Sequence, residues 1–293
     1  MIELKNISVS FGKQQVIKDV SISFFEGEVI GLVAPNGTGK STLLNIMMNY
    51  LKPQTGEAII HQDKRYGTPK VNSQIYREIS MMPDQNDLYL HFTGFDHLKM
   101  FQDMWQSYQI SLTDIVEELE MGHYVNKKVS GYSLGMKQRL CFAMQMASNT
   151  SIMLMDEVMN GLDPTNVELI SQIILKKREE GKTIIIASHL LENLEKYANR
   201  IFFLTEGKLE LFLDKTVGYA DNRSYLKLTE ISDDRIRRSF PHQEIIGLKN
   251  GMLLLPFDEK AQLEGVVAQL IQENILTFSI GKLSLSEAYQ LKF

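Results

Sequence analysis

Ala34-Pro35-Asn36-Gly37-Thr38-Gly39-Lys40-Ser41-Thr42 decides the fold. The apolar run Val29-Ile30-Gly31-Leu32-Val33 ahead of it reads as a buried strand, and Leu43, Leu44, Ile46 and Met47 behind it fall at helical spacing. Strand, glycine loop and helix form the setting in which G-x-x-x-x-G-K-S/T holds phosphate. Gly37 and Gly39 let consecutive backbone N–H groups turn inward, and the helix start adds partial positive charge. Nucleotide contacts are therefore assigned to Asn36, Gly37, Thr38, Gly39, Lys40, Ser41 and Thr42. Lys40 reaches the β- and γ-phosphates, and Ser41 sets its hydroxyl on Mg²⁺. Ala34 occupies the motif's first glycine position, which is harmless at negative φ and strained at positive φ.

Two further apolar runs end in polar groups. Ser151-Ile152-Met153-Leu154-Met155 delivers Asp156 and Glu157 to a strand's C-terminal end, where α/β sheets bind ligands. Asp156 suits Mg²⁺ held through water, and Glu157 suits the orientation or deprotonation of an attacking water. Thr183-Ile184-Ile185-Ile186-Ala187-Ser188 ends in His189, a candidate for sensing the γ-phosphate or placing that water. Bulk properties frame this chemistry. The 293 residues exceed one typical domain, 44% hydrophobic and 23% charged content is globular, and a net charge of −5 makes nucleic acid an unexpected partner. Cys141 is the only cysteine and reads as core filler. Met1-Ile2-Glu3-Leu4-Lys5 lacks the apolar stretch of a signal peptide, and no apolar run nears the ~20 residues that span a bilayer.

Between the phosphate loop and the acidic strand lies Val129-Ser130-Gly131-Tyr132-Ser133-Leu134-Gly135-Met136-Lys137-Gln138-Arg139. With it, the chain resembles the nucleotide-binding subunit of an ABC transporter from about Ile2 to Phe212. The segment stands where that family carries Leu-Ser-Gly-Gly-Gln, with Tyr132 for Leu, Leu134 for the first Gly and Met136 for Gln, while Ser133 and Gly135 are kept. The form is similar to bacterial exporter-type subunits of the ABC-2-like drug and peptide group. By this resemblance Phe11 stacks on adenine, Asp163 in Asn160-Gly161-Leu162-Asp163-Pro164 communicates across a dimer interface, and Asp84 after Met81-Met82-Pro83 senses Mg²⁺ and water, with Gln85 as its alternative. Ser133, Leu134, Gly135 and Met136 of one copy close over ATP held by a second. The bland alternative for Ser133 is a helix cap, and both roles can hold at once.

The implied fold is α/β: a P-loop NTPase core of ABC ATPase type with an antiparallel edge sheet and a helical subdomain at about 84–149, making up residues 1–212. Leu112, Ile115, Val116 and Leu119 carry the helical spacing of that subdomain. Leu88, Tyr89, Phe92, Phe95, Met100, Phe101, Met104 and Trp105 crowd its front, and an exposed subset would receive a partner's short helix. Residues 213–293 read as an accessory α+β domain. Strand 224–228, helix 233–240, a hairpin of 244–249 and 252–255 about Asn250-Gly251, an apolar helix face at Leu263, Val266, Val267, Leu270 and Ile271, and strand 276–280 give the ferredoxin-like order β-α-β-β-α-β. The closing stretch 283–289 suits packing. The resemblance implies ATP hydrolysis with Mg²⁺ that drives export through a separate integral membrane permease. It also implies a second ATPase subunit, the same chain or a sister, and a peripheral place on the cytoplasmic face of the cell membrane. The alternatives are a soluble non-transport ABC ATPase and an ATP-sensing regulatory module.

Overall fold

The computed structural model describes residues 1–61, 63–189, 191, 194–229, 233–257 and 260–293. They divide into two compact units, Met1–Leu211 and Phe212–Phe293.

In the first unit, β1 (Ile2–Phe11) and β2 (Gln14–Phe24) pair antiparallel, with Ile2, Leu4, Ile7 and Val9 alternating into the core. Alternation is what a strand with one buried face requires. The next strand, β3 (Val29–Val33), is buried at every position, as a parallel strand covered on both faces must be. It feeds α1 (Lys40–Met47), whose cap residue Gly39 has φ 112°. Two strands, β4 (Thr55–Ile60) and β5 (Lys64–Arg65), complete an edge sheet of order β2-β1-β4-β5. Gly56 sits in it at φ 85°, and a Cβ there would come within 2.2 Å of the Lys5 carbonyl oxygen, so only glycine fits.

After α2 (Pro69–Tyr76) and β6 (Ile79–Met81), a 3-10 turn at Gln85–Asp87 opens a helical stretch of α3 (Gly94–Trp105), α4 (Leu112–Glu118) and α5 (Leu134–Ser148). Each helix starts at a side-chain cap, Thr93, Ser111 and Ser133 in turn. Such caps satisfy donors that the first turn leaves free. The chain then alternates through β7 (Ile152–Asp156), α6 (Pro164–Glu179), β8 (Thr183–Ser188), α7 (Leu194–Tyr197) and β9 (Arg200–Thr205). These strands form the parallel run β9-β3-β8-β7-β6. Its order places the ends of β3, β7 and β8 side by side. Cys141 is fully buried, and burial pushes its thiol pKa up to about 12, which suits an inert core residue. The aromatic front of the helical stretch splits: Leu88 and Phe101 are buried, while Tyr89, Phe92 and Met104 stay exposed.

Glu206 and Gly207, at φ 51° and 83°, turn the chain into β10 (Lys208–Asp214). The division between units falls inside that strand, and β11 (Gly218–Tyr219) pairs back onto its end. The rest of the second unit is β12 (Ser224–Leu228), α8 (Asp233–Ser239), β13 (Ile246–Gly247), β14 (Leu253–Phe257), α9 (Lys260–Gln272), β15 (Phe278–Gly281) and α10 (Leu285–Lys292). Its antiparallel sheet has the order β13-β14-β12-β15, which is the ferredoxin-like arrangement for β-α-β-β-α-β. Leu226, Leu228, Ile236, Leu253, Leu255 and Leu270 centre its core.

One expected element changes form. The hairpin about Asn250-Gly251 closes as a three-residue connection between Leu248 and Met252, whose backbone groups bond at 2.8 Å. Gly251 takes the left-handed position at φ 84°, while the Asn250 side chain accepts from Met252 N. A three-residue connection with glycine in that position replaces the two-residue turn that the dipeptide suggests, and the first strand shortens to Ile246–Gly247.

Candidate functional site

The loop between β3 and α1 surrounds a cavity of about 330 Å³ lined by Asn36, Gly37, Gly39, Lys40, Ser41 and Thr42, with Phe11, Gln14 and Val16 on one side and Asp156 and Glu157 on the other. Two glycines are needed for different reasons. Gly37 and Gly39 both have positive φ, and at Gly39 a Cβ would also lie 2.6 Å from Val16 Cγ1. Ala34 is not among the residues with positive φ, so its methyl group is unstrained. Thr38 points its hydroxyl at the Pro35 carbonyl, 2.8 Å away, and braces the loop from within; it does not line the cavity.

Lys40 is only 5% exposed. Its ammonium donates to the carbonyls of Ala34 at 2.7 Å and Pro35 at 3.2 Å, and lies 3.5 Å from Glu157 Oε1. Ser41 donates its hydroxyl to the Asp156 carboxylate. Burial above all raises the pKa of Asp156; the Ser41 hydrogen bond pulls the other way, and the neighbouring Glu157 charge adds to the rise. A hydroxyl and a carboxylate turned toward one another at the cavity wall are hard oxygen donors of the kind Mg²⁺ takes.

Glu157 follows β7 at φ 51°. For a residue with a Cβ that conformation costs about 1–2 kcal/mol, so its surroundings must hold it. Its N–H donates to the Ala187 carbonyl at 2.9 Å, and its own carbonyl accepts from Gln138 Nε2 at 3.0 Å. The carboxylate then lies between two cations or donors: Oε2 is 2.8 Å from His189 Nδ1, and Oε1 faces Lys40. A carboxylate only accepts, so Nδ1 of a neutral His189 carries the proton and Nε2 is left as an acceptor. Oε1 is buried without a hydrogen-bond partner among the described residues, a valence turned toward the phosphate cavity.

Other sequence-derived candidates are spread around this centre. Phe11, 53% exposed, stands at the cavity mouth. Asp84 accepts from the Asn86 N–H at 2.8 Å and side chain at 2.7 Å. It shares a second cavity with Asp156, Pro83, Met104 and Trp105. Gln85 instead donates to Gln138 Oε1. Ser133 caps α5 by accepting from Met136 N at 3.3 Å. Leu134 is 62% exposed and covers Gly161, where a Cβ would meet its Cδ2 at 2.8 Å; the corresponding position on Gly135 faces the Gly161 carbonyl. Asp163 caps α6 through Asn166, at 3.0 Å to the N–H and 2.6 Å to the amide. Ser133, Leu134, Gly135, Met136 and Asp163 do not line the loop cavity of their own chain. Gln14, Val16 and the bridging role of Gln138 carry no local sequence signal.

The chain matches the family model described as ABC transporter over residues 17–160. It is 29% identical to the lantibiotic transport ATP-binding protein SrtF of Streptococcus pyogenes over 237 residues, 81% of this chain and 100% of that protein. An uncharacterized ABC transporter ATP-binding protein of Bacillus subtilis, YhcH, is 32% identical, covering 71% of this chain and 68% of its own length. Among solved structures, a dimeric post-hydrolysis state of the ATP-binding cassette MJ0796 bound to ADP and Pi aligns with a TM-score of 0.62 at 27% identity, over 72% of this chain and 97% of that one.

Proposed function

The chain belongs to the ABC transporter ATP-binding family, and from that premise we propose that it hydrolyses ATP to drive export through a separate membrane permease. One observation carries the reading: Glu157, held in a left-handed conformation, presents an unsatisfied carboxylate oxygen to the phosphate cavity between Lys40 and His189. Lys40 and the N–H groups of Gly37 to Ser41 bind the β- and γ-phosphates and offset charge that develops on the terminal oxygens. Glu157 orients a water in line with the γ-phosphate and accepts its proton. His189, fixed by its bond to Glu157, offers Nε2 as an acceptor to the same water, and as a donor to the γ-phosphate once the ring is protonated. Ser41 and Asp156 would hold Mg²⁺, which neutralises triphosphate charge when bound. Phe11 offers a flat ring to adenine.

Ser133 and Gly135 stand at the start of α5, where N–H groups and dipole favour an anion, yet outside their own chain's cavity. A head-to-tail dimer, with Ser133 to Met136 of each copy closing over the other's ATP, uses both facts. That the similar cassette MJ0796 is dimeric with ADP and Pi bound supports a pairing of two copies. Asp163 then lies near the shared interface. Asp84, beside Asp156, would report nucleotide state to the second cavity, where Met104 and Trp105 offer an apolar surface to a permease helix. No helix among the described residues is long and apolar enough to cross a membrane. Export as the direction draws on SrtF, a lantibiotic transport protein by name.

The test is E157Q. ATP binding should persist while turnover falls about 10²–10⁴-fold, and the ATP-loaded variant should elute as a dimer. Wild-type turnover in E157Q would overturn the assignment.

A further inference from the structure

Gln138 is 4% exposed and does not line the phosphate cavity, yet both its amide hydrogens are spent on the backbone that carries Glu157. The two amide hydrogens of Nε2 go to consecutive carbonyls, Glu157 O at 3.0 Å and Val158 O at 2.8 Å. Oε1 accepts from Gln85 Nε2. One side chain thus ties the first turns of α5, the 3-10 turn after β6 and the peptide that carries Glu157.

What it ties is the strained point of the site. Glu157 has φ 51°, and three bonds fix its backbone: the N–H to Ala187 O, and a carbonyl that accepts from both the Asn160 N–H at 3.0 Å and Gln138 Nε2 at 3.0 Å. The first is an ordinary continuation of the β7–β8 pairing. The second closes a local turn, and the third comes from a side chain that also holds the next carbonyl, Val158 O, so it can be removed without breaking ladder or turn. If Glu157 relaxed toward a right-handed φ, its Cα–Cβ bond would swing and its carboxylate would leave the gap between Lys40 and His189.

We infer that Gln138 is a positioning residue for hydrolysis, holding the Glu157 peptide in its left-handed conformation and so fixing the aim of the carboxylate. The inference rests on Glu157 acting on the attacking water. Gln138 stands five residues beyond Ser133 on the same helix, so displacement of that helix start changes the aim of Glu157 within one chain. Gln85 supports the amide from the other side and has the weaker effect.

The experiment measures ATP turnover and ATP affinity of the full chain in Q138M, E157Q and the double variant. Q138M keeps the length of the side chain and removes the donors. Its kcat should fall about 10- to 100-fold, as small misplacements of reacting groups do, with ATP affinity and KM within twofold. In the E157Q background the same change should cause no further loss, because its target is already gone. A folded Q138M with kcat within twofold of the parent, an affinity that falls as far as kcat, or losses that multiply in the double variant would each overturn the inference. Q138N, which stays polar but falls short by one methylene, carries the same expectations should Q138M fail to fold. Full turnover in E157Q alone would instead remove the reading of Glu157, so the two failures are distinct.

Discussion

Each unit of the chain contains a nearly buried lysine beside a glutamate, and the two pairs are put to opposite use. In Met1–Leu211, Lys40 stands 3.5 Å from Glu157, whose Oε1 has no hydrogen bond among the described residues. In Phe212–Phe293, Lys227 lies 2.6 Å from Glu287 Oε2, which also accepts the Ser284 N–H at 2.7 Å and so caps α10, while Lys227 donates again to the Lys282 carbonyl at 2.7 Å. The first arrangement leaves a carboxylate oxygen pointing into a cavity; the second turns both charged groups onto protein partners. Unsatisfied buried charge costs stability, and a protein keeps it where a ligand will complete it. Charge satisfied in a closed network serves the fold.

The largest consequence concerns Lys40. In K40A the nucleotide loses charge-assisted bonds worth about 1.5–3 kcal/mol each, so ATP affinity should fall at least about 100-fold. A fluorescent-nucleotide titration reads this directly. An affinity within threefold of the parent would mean that the open lysine is as structural as the closed one.

Lys227 should behave the other way. K227M leaves Glu287 nearly buried without its cation, since the two side chains are only 13% and 11% exposed. Breaking such a pair costs about 3 kcal/mol, whereas replacing both members costs less. Urea unfolding should therefore show K227M well below the parent and K227M/E287Q partly restored, with ATP affinity within twofold in both. A K227M protein of parental stability would erase the contrast between the two lysines.

The two units also differ in how far their sequence discloses them. The loop, the Asp156-Glu157 pair and His189 are visible because each is set by its own few neighbours: a glycine loop before a helix, or a polar group at the end of an apolar run. The bond from Gln138 to Glu157 joins residues 19 apart through a helix–sheet contact, and the φ of Glu157 is held in part by bonds of this kind, including the one to Ala187 O. Local pattern cannot report either. Gln14 and Val16 reach the cavity only because β2 crosses near the loop. The second unit's order follows from strand alternation and one apolar helix face, both short-range. Its hairpin is the instructive exception: Asn250-Gly251 announces a turn correctly but leaves its length open, because Asn250 spends its side chain on Met252 N. The identity of the two closed networks, Lys227 with Glu287 and Asp221 with Arg223 and Tyr225, depends on residues 60 apart in one case and four or fewer in the other; only the second had any local signal.

The smallest effect is a difference in sign, carried by two aspartates. Burial raises the pKa of Asp156, and the Ser41 hydrogen bond does not offset it. Burial would also raise that of Asp221, but hydrogen bonds from Arg223, at 3.1 and 2.9 Å, and from Tyr225, at 2.5 Å, outweigh it and hold the carboxyl at about 2. By linkage, a carboxyl with a depressed folded pKa contributes stability that is present above its unfolded pKa of 3.8 and is lost as pH falls toward about 2. One with a raised folded pKa does the reverse: its ionisation weakens the fold as pH climbs from 3.8 through the folded value. At neutral pH, D156N should therefore raise the melting temperature of the nucleotide-free protein, and D221N should lower it. Asp221 is 36% exposed, so solvent screening keeps its share under about 1 kcal/mol. Thermal unfolding at pH 7 and again near pH 3 separates the two, because the gap between each variant and the parent should narrow at the lower pH. D156N should also lose Mg²⁺-dependent tightening of ATP binding, since the amide removes the charge that the cation requires. Equal and same-signed shifts in the two variants would show that the open site is no more strained than the closed network. Stabilisation in D156N without loss of the Mg²⁺ effect would place the metal's carboxylate elsewhere.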